Sequence, residues 1–135
     1  MPNKNRHENY DILNMIGYGL AKFDTDLVYN MGFKTKTDFY RHFIQLGIAR
    51  SRGAISNRQD MFDPFFDNHR RGWWQRKEEN EHRKNLIDSF YKDLDCLEFI
   101  EILKKLLIYR GFIHPIEHVE ISPLLQSQFE ALKDD

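Results

Sequence analysis

Between Asn9 and Phe23 the apolar residues Ile12, Leu13, Ile16, Leu20 and Phe23 recur at three- and four-residue steps, which predicts a helix with one buried stripe. Asn9 stands where an N-cap is wanted. Gly17 and Gly19 interrupt the stripe; in a helix they mark either an early end or a neighbour that comes very close. Asp24 or Thr25 then caps the short run "DLVYNM", which Gly32 stops. Thr35 or Thr37 opens the next helix, with Phe39, Tyr40, Phe43, Ile44 and Leu46 on its apolar side and Gly47 placed for a left-handed stop. A further helix follows Ser51 and ends before Pro64, because the residue preceding proline resists helical geometry.

The second half repeats the pattern after an irregular, aromatic-rich link, "DPFFDNHRRGWW". From about Lys77 to Leu94 the residues Leu86, Ile87, Phe90, Tyr91 and Leu94 keep helical spacing. Asp95 and Glu98 form a capping-box pair ahead of Phe99, Ile100, Ile102, Leu103, Leu106 and Leu107, the strongest apolar stripe in the chain, which Gly111 closes. The segment "FIHPIEHVEI" reads as one short strand near 112–121, and Ser122 with Pro123 starts a last helix through Lys133. The expectation is an all-α orthogonal bundle of about six helices in one domain spanning 1–135, with the 96–110 helix at its centre or on a dimer face.

Composition agrees with a packed fold. Of the 135 residues 41% are hydrophobic and 14% aromatic, enough to bury a core. Cys96 stands alone, which excludes an internal disulfide and a cysteine-based zinc finger and fits a reducing compartment. The opening "MPNKNRHENYD" has no apolar leader core, and no stretch approaches eighteen apolar residues, so the expected location is cytoplasmic. The net charge of −1 hides a strong asymmetry. Lys34, Lys36, Arg41, Arg50, Arg52 and Arg58 face a single acid, Asp38, between positions 34 and 59, whereas residues 86–135 carry twice as many acids as bases. A local positive field matters more than the total when the partner is a polyanion.

The basic stretch also carries a pattern. "TDFYRHFIQLGIARSRGAISNR" resembles the phage-repressor kind of helix-turn-helix through Leu46, Gly47 and Ile48 in the turn and Ala54, Ile55, Ser56 and Asn57 in the second helix. Eight steps separate Gly47 from Ile55, where the family pattern has six. The resemblance, confined to residues 37–59, implies that Lys34, Lys36, Arg50 and Arg52 contact phosphates. It further implies that Ser56, Asn57, Arg58 and Gln59 face base edges, where Asn and Gln suit adenine and Arg suits guanine. Duplex DNA is then the expected partner, read without catalysis and without a cofactor. A symmetric dimer formed through the 96–110 or 123–133 helices would present two half-sites.

Three other groups carry chemistry. Arg70, Arg71, Arg76 and Lys77 bracket Trp73 and Trp74, residue types that stack single-stranded bases and neutralise phosphate. Asp60, Asp63, Asp67 and His69 lie close enough in sequence to hold a magnesium ion for phosphodiester cleavage. "HPIEH" places His114, Glu117 and His118 in the inverted zinc-protease spacing, but Pro115, Val119, Ile121 and Pro123 oppose the helix that such chemistry needs. No catalytic residue is assigned. Two readings stand behind DNA binding: a helical protein-interaction module, and a small metal-dependent nuclease.

Overall fold

The computed structural model describes residues 8–67, 72, 74 and 77–134. Among them the chain forms α1 (Tyr10–Phe23), α2 (Thr25–Asn30), α3 (Lys36–Gln45) and α4 (Arg52–Phe62), then a 3₁₀ turn at Asp63–Phe65. α5 (Lys77–Tyr91), α6 (Cys96–Tyr109) and α7 (Pro123–Asp134) complete it. The expected all-α bundle is present, with no strand among the described residues.

α1, rather than α6, is the central element. Every residue from Tyr10 to Ala21 is buried, and α4, α6, α2, α7 and α5 all pack on it. The cause is in the sequence. Met15, Tyr18 and Ala21 extend the Ile12–Leu20 stripe around the whole helix, and a helix that is apolar on all sides is buried on all sides. The glycines mark close neighbours, not an early end. A Cβ on Gly17 would fall 2.7 Å from the backbone carbonyl carbon of Arg58 in α4, and one on Gly19 would fall 2.6 Å from the Phe99 ring in α6. α6 has the expected capping box: Asp95 accepts from the Glu98 amide while Glu98 accepts from the Asp95 amide, at 2.8 and 3.0 Å.

Two polar residues at the start of α1 are paired inside the fold. Asp11 is 2% exposed and pairs with Arg110 at the end of α6. Arg110 also donates to the Glu8 carbonyl and to Asn9 Oδ1, at 3.3 and 3.2 Å. Asn9 holds the N-cap position without capping α1 through its side chain. Its Nδ2 instead donates to the carbonyls of Gly47 and Ile48, at 3.3 and 3.1 Å, which ties the α3–α4 turn to the start of α1.

The segment expected as a strand near 112–121 forms no sheet. It is a strap between α6 and α7, bent at 116–117, with Phe112, Ile113 and Ile121 resting on the core. Pro115 lacks an amide, and no second strand lies alongside, so the period-two pattern finds no ladder to join.

Candidate nucleic-acid interface

The basic stretch folds as α3, a turn over residues 46–51, and α4. Thr35 caps α3 by accepting from the Asp38 amide at 3.1 Å, and Ser51 caps α4 by accepting from the Ala54 amide at 3.3 Å. Gly47 takes φ +81° and lets the Leu46–Ile48 turn close, since a left-handed backbone costs glycine little. Phe39 and Phe43 from α3 and Ile48 from the turn enter the core, which orients the pair.

Where the candidate side chains point follows from helical period. Successive residues are turned by about 100°, so four consecutive positions cannot share one face. Ile55, Gln59, Met61 and Phe62 are buried, with Arg58 and Ala54 half-buried beside them. The exposed arc carries Arg52, Gly53, Ser56, Asn57 and Asp60, of which Arg52 and Asn57 are the most open.

Two of the expected base-reading residues therefore turn inward. Arg58 donates to Asn14 Oδ1 of α1 at 3.0 Å, and its guanidinium lies 5.1 Å from the Tyr10 ring centroid. Gln59 is 4% exposed and accepts from Lys36 Nζ at 3.3 Å. Ser56 is half-exposed, with its hydroxyl 3.5 Å from the Gly53 carbonyl, and Asn57 faces solvent.

The phosphate-contact candidates sit further out. Lys34, Arg50 and Arg52 are exposed, whereas Lys36 is half-buried over Gln59. The Arg52 guanidinium lies 5.5 Å from the Tyr40 ring centroid, a cation–π contact that holds it at the α3–α4 seam. Arg41, which the repressor pattern does not select, is exposed beside them and meets Asp38 at 3.4 Å. The Lys36–Gln59 and Arg52–Tyr40 contacts show α3 and α4 running antiparallel, and they separate the two cations by about 10 Å along α4.

No protein-family model, curated protein or solved structure matches the chain. The site is argued from its own residues.

The remaining candidates are scattered. Trp74 is exposed, with Lys77 Nζ 4.8 Å from its ring, while Arg70, Arg71, Trp73 and Arg76 lie outside the described residues. Asp63 is buried, Asp60 half-buried and Asp67 exposed, with His69 again outside the described residues. His114, Glu117 and His118 are all exposed on the strap, off any helix. Among the described residues no three His, Cys, Asp or Glu side chains form a metal-holding group.

Two polar side chains are held in unreactive states. Tyr18 donates to Asp88, which Lys84 pairs at 2.6 Å; burial pushes the Tyr18 hydroxyl above its ordinary range and keeps it protonated. Burial likewise raises the Cys96 thiol, which disfavours the nucleophilic thiolate. No described helix is long and apolar enough to cross a membrane.

Proposed function

We propose that the chain binds duplex DNA, without catalysis, through α3, the 46–51 turn and the exposed arc of α4. The observation that carries this reading is the set of exposed cations Lys34, Arg41, Arg50 and Arg52 on the same helix–turn–helix segment as the exposed Asn57. Phosphate contacts supply most of the affinity. Base reading falls to Asn57 and Ser56, with Arg58 and Gln59 serving to hold α4 against α1 and α3. Gly53 on the same arc allows close approach of the backbone. The single thiol suits a reducing, cytoplasmic compartment.

The test is fluorescence anisotropy with a random-sequence duplex across a salt series. Replacing Lys34, Arg50 and Arg52 by Ala should leave the far-UV circular dichroism unchanged and reduce the log–log salt slope by about 0.9 per lost contact, roughly 2.7 in all. No binding by the unaltered protein at about 50 mM salt, where such contacts are strongest, would sink the reading.

A protein-interaction role is the second reading, favoured by the exposed apolar side chains Tyr29, Leu97, Ile116 and Leu124. The outward faces of α6 and α7 do not form an apolar seam: Leu97 sits among Glu98, Glu101 and Lys104, and Leu124 among Gln126, Ser127 and Glu130. An assembly surface is better sought on the strap that joins them.

A further inference from the structure

The strap over residues 112–122 leaves its backbone open. The amides of His118, Val119, Glu120 and Ile121 have no hydrogen-bond partner among the described residues. The carbonyl of Ile121 accepts from Gln126 Nε2 at 2.8 Å and that of Ser122 from the Gln126 amide at 2.9 Å, which pins the far end of the strap to α7. From 118 to 122 exposure alternates: His118, Glu120 and Ser122 are exposed while Val119 and Ile121 are half-buried, Ile121 against the core. Period-two exposure with unpaired amides describes a strand edge with no neighbour, and such an edge is a template for another chain.

We propose that residues 118–122 pair, antiparallel and edge to edge, with the same segment of a second copy of this chain. Symmetry and charge select both the occupant and the register. Directly opposed residues of an antiparallel pair share one face of the ribbon, so a two-fold axis between identical strands must pass through a residue matched with itself. Centring on His118 or Glu120 sets like titratable side chains against each other. Centring on Val119 sets Val119 against Val119 and places His118 opposite Glu120 twice, so that a ring N–H donor faces a carboxylate acceptor. Opposed ion pairs stabilise a ribbon and like charges destabilise it. Val119 and Ile121 of both copies then line one face, and His118 and Glu120 the other.

A two-stranded ribbon alone is marginal, so the association is expected to be weak. Three features favour it. The strap is already anchored at Phe112, Ile113 and Ile121, so little chain entropy remains to be lost. Its Ile121 already rests on the core of each copy. Ile116, fully exposed at the bend, lies three residues from the axis and gains cover from the partner.

Sedimentation equilibrium of the full chain, without nucleic acid, up to about 1 mM is the test, and it keeps this proposal separate from the DNA reading. The unaltered chain should dimerise. Val119→Pro removes the central amide, which bonds to nothing within one copy, and should abolish the dimer while leaving circular dichroism and the melting curve unchanged. Glu120→Lys should weaken the dimer about tenfold by removing the carboxylate that each His118 faces, and adding His118→Glu should restore an opposed pair. Register is read in a Cys96→Ser background: Val119→Cys should form an interchain disulfide under mild oxidation far more readily than His118→Cys or Glu120→Cys. A chain that stays monomeric at about 1 mM overturns the proposal. So does a dimer indifferent to Val119→Pro, or cross-linking that is no better at Val119 than at its neighbours.

Discussion

Gly17 shows how one missing Cβ sets the spacing of two helices. α4 approaches α1 so closely there that the obstacle to any side chain is the Arg58 backbone, which cannot swing aside as a flexible side-chain end would. Alanine would gain about 1 kcal/mol in helix propensity, while overpacking of this kind costs about 1–3 kcal/mol or more. With backbone as the obstacle the cost should win. We expect Gly17→Ala to destabilise the protein by about 2 kcal/mol, measured as a lower urea midpoint at unchanged slope. Arg110 is the second decisive residue. Asp11 Oδ2 is buried with no hydrogen-bond partner among the described residues, so the carboxylate depends on Arg110 at its other oxygen. Arg110→Ala would strand a buried charge at a cost of about 3–5 kcal/mol. Arg110→Lys should recover only part of this, since a single ammonium cannot span Asp11, Glu8 and Asn9 as the guanidinium fork does.

At the scale of the element, α4 shows what a sequence pattern carries and what it omits. Its start after Ser51 and its end before Pro64 were both legible, because caps and proline act locally. The direction of Arg58 and Gln59 was not. A polar run looks like a solvated face until the neighbours are known, and here Asn14 and Lys36 are the neighbours, brought in from 44 and 23 residues away. The burial of α1 on all sides could have been read from Met15, Tyr18 and Ala21; the polar Asp11 and Asn14, which pair with the distant Arg110 and Arg58, masked it. The strap misled for the opposite reason, since alternation is local but a strand needs a partner. α4 also yields a paired test. Gln59→Ala should lower stability without altering preference among duplex sequences, because the side chain is interior. Asn57→Ala should leave the melting temperature unchanged and reduce sequence discrimination by about 1–3 kcal/mol at the position it reads. Equal loss of discrimination in both variants would contradict the assignment of faces.

For the molecule as a whole, charge is arranged by region, and its response to pH is specific. Lys34, Arg41, Arg50 and Arg52 are exposed within one basic stretch, while residues 86–135 carry twice as many acids as bases, so the surface field is oriented even though the total is −1. Acidification acts on stability through His42, whose ring packs against Phe33 and Phe43 at centroid distances of 5.1 and 5.3 Å. Burial lowers its folded pKa below the usual imidazole value. The unfolded chain therefore takes up this proton first, and the contribution of His42, fully present above about pH 6.5, is lost as the pH falls below it. The urea midpoint should decline from pH 7.5 toward pH 5.5, and His42→Gln should flatten that decline. A decline of equal depth in the variant would assign the effect elsewhere.

The tie from Asn9 to the carbonyls of Gly47 and Ile48 bears on how quickly the basic turn can act. A turn fixed in the free protein has no ordering step to complete after first contact. Encounter with a polyanion would then be a single-phase event whose rate follows ionic strength and concentration, with no slower second phase. Loosening that tether would leave the surface charges in place yet introduce a lag, because Arg50 would arrive on a segment still searching for its shape.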